Sequence, residues 1–225
     1  IAGGAQEPEK GKLVILRNLL REGRLNELNK DILPKELLAL KGKEQTPDHA
    51  GLDPLEHTLR ILKGDPDEGL EPLNTEGLSL ECAEYLRTAA LFHDLGKIEN
   101  PLDPEHSYSS ARLASPILEE MDFNRMELGL TKQLIASSHV LGQFAQSWIT
   151  LQDALSELTP PEGSGLTREQ MLELHYRLSR ADMRSIPGLR PFLYTIDQSH
   201  SVLKEALREA ESKEVSSLGQ AVRKY

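Results

Sequence analysis

The pair His93-Asp94 is the part of the sequence that most clearly suggests chemistry, because it interrupts the otherwise apolar segment 89–95. Position 93 continues a stripe of small and apolar residues at positions 82, 86, 89 and 90, so a helix would turn His93 toward the core with Asp94 beside it. Taking an ionised carboxylate out of water is unfavourable unless another group compensates its charge. A cation bound by both side chains would do so. The alternative is a buried, hydrogen-bonded pair without a metal.

Further imidazole and carboxylate side chains stand where helices could bring them to the same place. They are predicted at helix ends or on apolar helix faces: His57, His106, His139 and Asp182. Such groups suit Mn, Fe, Co, Ni or Zn better than Ca. Helical bundles build metal sites from inward-facing side chains of different helices. Together with His93 and Asp94, these residues predict a site for a divalent transition metal, with Mg as a further candidate.

The elements that must position these ligands are predicted to be helices. Leucine, with 40 residues, outnumbers valine and isoleucine, which have 15 together. Apolar residues recur every three or four positions, and no convincing strand-like alternation is visible. We therefore predict an all-α fold, with helices near residues 12–22, 24–41, 53–63, 78–96, 106–121, 125–139, 142–158, 167–184 and 191–212. Pro34 is expected to break the second helix and Pro116 to kink a later one.

Composition limits the classes of protein to consider. The chain has 225 residues, a formal net charge of −10 and one cysteine, Cys82. An acidic chain is not expected to offer an extensive nucleic-acid-binding surface, and no run of about 20 apolar residues suggests a membrane span. The lone cysteine suggests a reduced, cytoplasmic setting. Because the chain starts at Ile1, a partner domain outside it is also considered.

The ordered ligands resemble those of the HD superfamily of metal-dependent phosphohydrolases. The matching pieces are segment 56–59, segment 89–97, His106 with Ala111 and Ala114 behind it, and segment 181–184. The sequence is most similar to the HD domain appended to bacterial CCA-adding tRNA nucleotidyltransferases, over about residues 52–186. The nucleotidyltransferase head, with its paired catalytic aspartates on a sheet, is absent from the sequence. The resemblance therefore implies the HD activity and not nucleotide addition.

The resemblance implies a division of the chain and a role for each ligand. An HD-domain helical bundle would occupy residues 51–190, after a flexible start with N-terminal helices at 1–50 and before a C-terminal helix and tail at 191–225. One ion would be held by these residues: His57, His93, Asp94 and Asp182. Asp94 would bridge to a second ion completed by His106 and His139; with one ion, these two histidines would contact the substrate phosphate. Lys97 would place a further positive charge near the phosphate, or act only as a helix-end cation.

The implied reaction is hydrolysis of a phosphomonoester or phosphodiester by metal-activated water. The implied partner is a phosphorylated small molecule, a nucleotide, or an RNA end such as a 2′,3′-cyclic phosphate. Two alternatives stay open: a di-iron oxygenase on the same scaffold, and a non-catalytic nucleotide-binding module that keeps its ligands.

Other residues of the same chemical types are interpreted conservatively. Arg177, Arg180 and Arg184 could form a basic rim around Asp182, or a solvated helix face with nearby glutamates. His175 lies two helical turns before Asp182 and could support it. His49 and His200 match no motif position and are taken as ordinary residues. The few aromatic residues do not interleave with basic ones, so a platform for stacking single-stranded RNA is not predicted.

Overall fold

The computed structural model describes the backbone of residues 7–222 and the side chains of residues 9–212. Its α-helices are α1 Glu7–Glu22, α2 Lys35–Leu38, α3 Pro54–Lys63, α4 Leu80–Phe92, α5 His106–Glu120, α6 Arg125–Ala136, α7 Val140–Ala145, α8 Leu151–Glu157, α9 Arg168–Ser185 and α10 Leu193–Val222. Short 3₁₀ turns lie between several of them. Within residues 7–222 there is no β-strand, only an isolated bridge between Asp65 and Leu70. The prediction of an all-α fold is confirmed for this part of the chain.

Helix starts follow their capping signals closely. Asp53 accepts a hydrogen bond from the backbone N–H of Glu56 and begins α3, with Pro54 in the first turn. Thr167 and Gln170 form the predicted capping box at the start of α9. Gly64, with φ +72°, ends α3 in a conformation that suits glycine. These local signals fix the ends of the two helices that carry His57 and Asp182.

Several predicted helices have other lengths in the structure. The continuous helix predicted over 24–41 is wrong: α2 and a 3₁₀ turn at Leu25–Glu27 lie there instead. Asn29 accepts a hydrogen bond from the N–H of Asp31 and closes a turn, and Pro34 follows it. The segment 142–158 is divided into α7 and α8. Helix α1 begins at Glu7, so residues 7–11 are helical where flexibility is predicted, and α10 continues to Val222, past the predicted end at 212. The flexible start predicted for residues 1–6 lies outside the described residues.

The main core surrounds α4, which is buried on all sides in its second half. Ala89, Ala90, Leu91 and Phe92 have no exposed area. Helices α1, α3, α5, α6 and α9 contribute apolar side chains to the same core. Helix α1 is also tied to it by Arg17, which pairs with the buried Glu84 at 2.7 Å and with Glu127 at 3.0 Å. Because α4 ends deep in this core, the residues that follow it are buried too.

A second apolar cluster joins α7, α8 and α10 to one face of α9. It includes Val140, Leu141, Ala154, Leu172 and Leu203. Helix α9 therefore lies between two cores, since its Leu174 and Leu178 belong to the main one. The candidate site lies where the ends of α4, α6 and α9 meet. Among the described residues, no helix combines the length and the apolar character needed to cross a bilayer. The division at residues 50 and 190 stays a prediction.

Candidate metal centre

The six candidate ligands lie at or near the ends of different helices. His57 is in the first turns of α3, and His93 directly follows α4. Asp94 precedes a 3₁₀ turn at Leu95–Ile98, and His106 is the first residue of α5. The other two are His139, which precedes α7, and Asp182, in the last turn of α9. The fold therefore brings together residues that are up to 125 positions apart.

His57, His93 and Asp94 form a buried cluster whose ligand atoms all lie within 4.8 Å of one another. His57 Nε2 is 3.8 Å from Asp94 Oδ2 and 2.8 Å from Asp182 Oδ1. His93 Nε2 is 3.5 Å from Asp94 Oδ1 and 3.7 Å from Asp182 Oδ1. Ligands bound about 2.1 Å from one metal ion are roughly 3.0 to 3.4 Å apart at right or tetrahedral angles. The observed spacings bracket that range, so the three buried ligands His57, His93 and Asp94 fit a single ion, and Asp182 lies within 4 Å of both histidines.

The tautomers of His93 and His57 can be inferred from their hydrogen bonds. His93 Nδ1–H donates to the carbonyl oxygen of Ala90 at 2.8 Å, which leaves Nε2 as the inward-facing atom. The Ser185 hydroxyl donates to the carbonyl of Asp182 at 2.7 Å, so it accepts from His57 Nδ1 at 2.9 Å. In a neutral ring, each Nε2 then presents a lone pair to carboxylate oxygens. These lone pairs repel each other unless a cation is bound between them or the ring carries an additional proton.

His106 repeats this arrangement on the other side of Asp94. Its Nδ1–H donates to the carbonyl of Asp103 at 2.6 Å, and its Nε2 is 2.9 Å from Asp94 Oδ1. The His139 ring packs edge-on against His106, with ring centroids 4.9 Å apart. The carbonyl of Ser138 accepts a hydrogen bond from Ser179 on α9, which fixes the backbone next to His139. The structure thus places His106 and His139 together beside Asp94.

Charge within the cluster is strongly coupled. Burial disfavours the charged form of Asp94, but His93, Lys97 and His106 outweigh it and hold the pKa of Asp94 well below its usual range. Burial likewise opposes charge on His93, yet Asp94 and Asp182 raise its pKa to about 9. Burial and the charge of His106 lower the pKa of His139 to about 4. The cluster therefore favours two carboxylates with positive charge between them, and a neutral His139.

Lys97 is buried beside Asp94 and does not lie on the surface. Its ammonium group donates to Asp94 Oδ2 at 2.8 Å and to Gln45 Oε1 at 2.6 Å. The side chain also lines the cavity next to the cluster. Lys97 therefore orients one oxygen of Asp94, while the other oxygen faces His106.

Gly96 explains why the chain can turn back after Asp94. A Cβ at this position would overlap the carbonyl oxygen of His106 and stand 2.8 Å from the amide nitrogen of Ser110. The Gly96 N–H donates to Ser110 Oγ at 2.7 Å, and Ser110 in turn donates to the His106 carbonyl at 2.9 Å. This close approach sets the distance between Asp94 and His106.

A cavity of about 330 Å³ opens onto the cluster. Its lining includes Asp94, His106, His139 and Asp182 together with apolar residues. His57 and His93 lie behind these residues and are almost fully buried. A ligand in the cavity could reach the carboxylate side of the cluster.

His49 is the residue that sequence interpretation missed. It is buried, it lines the same cavity, and its ring lies edge-on to His57 at 5.2 Å. Its Nδ1 pairs with the hydroxyl of Thr46 at 3.0 Å, while its buried Nε2 has no hydrogen-bond partner among the described residues. Burial first, and then the charges of His57 and Lys97, lower its pKa to about 4. The polar loop around it gives no periodic signal that could have indicated this position.

The predicted basic rim lies elsewhere. Arg177, Arg180 and Arg184 line a different cavity, of about 520 Å³. Arg177 donates to the carbonyl of Glu76 at 2.7 Å and pairs with Glu173, so it ties α9 to the loop before α4. His175 is fully buried and neither of its ring nitrogens has a described hydrogen-bond partner, so it gives Asp182 no support of that kind. His200 stacks on Tyr176.

Comparisons of the chain with protein-family models, with curated proteins and with solved structures gave no match. The geometry therefore defines the chain at a coarser level: an all-α protein with a buried His/His/Asp cluster that could hold a metal ion.

Proposed function

We propose that this chain is a metal-dependent phosphohydrolase of the HD class. The observation that carries the proposal is the convergence of His57, His93, Asp94 and Asp182, with histidine Nε2 atoms facing carboxylate oxygens beside an open cavity. The resemblance of the ordered ligands to the HD superfamily supports the same reaction class. Both lines depend on Asp94, whose carboxylate oxygens lie within 4 Å of nitrogen atoms of His57, His93, Lys97 and His106.

The ligands divide into two groups around Asp94. His57, His93 and Asp182 would complete a first ion with Asp94. His106 and His139 would complete a second ion, and Asp94 Oδ1 already lies 2.9 Å from His106 Nε2. If one ion is bound, these two histidines would face the phosphate of the substrate. His139, whose pKa is lowered to about 4 by burial, would then act as a neutral hydrogen-bonding group.

A bound divalent ion would supply an activated water and would neutralise charge on phosphoryl oxygens. The chain's own residues would hold and orient the reactants. Lys97 would keep Asp94 ionised and fixed through its 2.8 Å contact. The Nδ1 contacts of His57, His93 and His106 would keep their Nε2 atoms directed inward.

The proposed partner is a phosphorylated small molecule, a nucleotide, or an RNA end such as a 2′,3′-cyclic phosphate. This substrate class follows from the resemblance to the tRNA-linked HD domains. The small cavity, with Lys97 at its wall, is consistent with a compact phosphoester and not with a long nucleic-acid strand.

The test is hydrolysis of bis-p-nitrophenyl phosphate by metal-stripped protein supplied in turn with Mn, Co, Ni, Fe and Mg. Asp94→Asn preserves the shape of the side chain and should remove turnover, as should Asp94→Ala. Asp31→Asn makes the same change at an exposed position and should retain it. We expect metal-dependent turnover in the natural protein and in Asp31→Asn, and none in the two Asp94 variants. Full activity of Asp94→Ala would refute the assignment, as would no turnover with any metal. In the second case, oxygen consumption with bound iron would indicate the oxygenase, and nucleotide binding alone would indicate the binding module.

A further inference from the structure

Trp148 is exposed at the cavity that holds Asp94, His106 and His139. It is the single tryptophan of the chain, and 66% of its surface is accessible. It lines this cavity together with those ligands. Tryptophan has a large apolar surface that normally packs against other groups. Other large side chains are as exposed, but Trp148 is the exposed aromatic ring that lines the cavity of the ligand cluster.

The backbone holds Trp148 in a defined position. At the end of α7, the Trp148 N–H donates to the carbonyl of Gln143 at 2.9 Å and the Ser147 N–H donates to Phe144 at 3.0 Å, the two bonds of a Schellman cap. Ser147 occupies the left-handed position with φ 59°, where glycine is preferred. Two residues later, Thr150 begins α8 with a capping box. The cap and the following helix start together fix the backbone that carries the indole, whose side chain lines the cavity.

The rest of the cavity combines apolar and amide groups beside the ligands. Met183, Ile186 and Leu189 provide apolar lining, and Gln143 and Gln146 provide amides that can both donate and accept hydrogen bonds. An isolated phosphate would need neither feature. A flat, apolar ring with a polar edge would use both, and a volume near 330 Å³ is within the range of small-ligand sites.

We propose that Trp148 stacks on the base of a nucleoside phosphate whose phosphate lies at the His/Asp cluster. This inference rests on the proposed function and specifies its substrate class. Stacking on tryptophan tolerates different bases because every base has a π face. Among the described lining residues, Trp148 is the only aromatic side chain apart from histidines. The site is therefore suited to one base and not to a strand.

The single tryptophan gives a direct binding measurement. Metal-stripped protein would be titrated with adenosine and with ribose, and metal-loaded protein with adenosine monophosphate and with ribose 5-phosphate, while the fluorescence of Trp148 is recorded. We expect saturable quenching by adenosine and its monophosphate, and little change with the sugars. Equal responses to adenosine and ribose, or none to either, would overturn the inference.

Substitution tests whether the base is what Trp148 recognises. By calorimetry, Trp148→Leu should lower the preference for adenosine monophosphate over ribose 5-phosphate on the order of tenfold, while Trp148→Phe keeps most of it. Tyr108→Leu removes another exposed aromatic ring, on α5 and outside the cavity lining, and should leave the preference unchanged. An unchanged preference in Trp148→Leu would contradict the proposal.

The two proposals can fail separately. Adenosine quenching without hydrolysis of any phosphoester would retain the stacking site and reject the phosphohydrolase. Hydrolysis of bis-p-nitrophenyl phosphate without any base preference in binding would retain the phosphohydrolase and reject the stacking site. The stacking site would also be rejected if Trp148→Leu weakened the binding of a partner protein and left nucleotide binding unchanged.

Discussion

At the scale of single residues, the site depends on how each histidine is held as much as on which atoms face inward. Three rings have Nδ1 fixed by a neighbouring oxygen: the Ala90 carbonyl, the Asp103 carbonyl and the Ser185 hydroxyl. Two of these oxygens belong to the backbone and cannot be removed by substitution. Ser185 is the exception, and it is therefore the residue through which this positioning can be tested.

Replacing Ser185 with alanine should weaken metal binding. The substitution removes the hydroxyl that accepts from His57 Nδ1, so the ring loses its fixed tautomer and orientation. Losing such a supporting contact typically lowers metal affinity roughly 10- to 100-fold. Calorimetric titration of metal-stripped protein measures the change. Ser201→Ala is the matched control, because Ser201 also donates to a backbone carbonyl of its own helix but is exposed on α10. Equal affinities in both variants would contradict this role.

His175 should make folding sensitive to acid. Burial lowers its pKa to about 4 from 6.5, and its ring nitrogens have no described partner. The folded state resists protonation of His175, so below pH 6.5 the unfolded chain binds more protons than the folded one. The free energy of unfolding therefore falls as the pH drops from 6.5 toward 4. The loss at pH 5 should be about 2 kcal/mol relative to pH 7.5.

The measurement is urea unfolding of the protein and of His175→Leu at pH 7.5 and pH 5. The leucine variant lacks the titrating group, so its free energy of unfolding should fall by about 2 kcal/mol less between the two pH values. Leu172→Met, on the same helix, should keep the acid sensitivity. A parallel pH dependence of the His175→Leu variant and the natural protein would show that His175 does not contribute.

At the scale of elements, the ends of helices matter more than their middles. All six candidate ligands lie in the first or last turns of a helix or in the residues directly next to it. The turn between α4 and α5 is the most constrained of these, because Gly96 lets the backbone of α5 approach closely enough to bring His106 to Asp94.

Gly96→Ala should therefore damage both stability and the site. The added methyl group meets backbone atoms that cannot move independently, and such overpacking typically costs about 1–3 kcal/mol. It should also displace His106 from Asp94 and reduce hydrolysis. Gly129→Ala is the control, because Gly129 lies inside α6 with open space around it. This substitution should raise the free energy of unfolding by roughly 0.5–1 kcal/mol. Urea unfolding measures both, and a Gly96→Ala protein as stable as the natural one would contradict the packing argument.

The elements also show what sequence patterns can and cannot predict. Capping signals at Asp53 and Thr167 predicted the starts of α3 and α9, because a cap is a local interaction. The prediction of a single helix at 142–158 is wrong, because the apolar period continues through both α7 and α8. The break comes at Ser147, which adopts a left-handed conformation that is unusual for serine. That break is what places Trp148 at the cavity.

At the scale of the whole molecule, the cluster joins helices that are distant in sequence. The structure brings three of the predicted ligands, His57, His93 and Asp94, into one buried cluster, although His57 comes from α3 and the other two follow α4. The sequence could not predict His49, because only the packing of its loop against α3 brings it to His57. The sequence also could not predict that Arg177 and Arg184 bind loop carbonyls away from the cavity at the ligand cluster. Those acceptors are backbone atoms, which every residue type has.

Because the ligands come from several helices, metal binding should stabilise the entire fold. An ion at 100 times its dissociation constant adds about 2.7 kcal/mol to the free energy of unfolding. For a domain of this size that corresponds to a rise in Tm of roughly 5–10 °C. Thermal unfolding followed by circular dichroism, with and without Mn, measures it. Asp94→Asn should show no rise, and a rise of equal size in that variant would place the binding site elsewhere.

The proposed metal centre is tested most directly by a cobalt titration of the metal-stripped protein, followed by visible absorption. We expect saturable d–d bands from one or two bound ions, which disappear in Asp94→Asn and persist in Asp31→Asn. Absence of binding, or the same spectrum in Asp94→Asn, would show that the His/Asp cluster is a structural network of buried charges and not a metal centre.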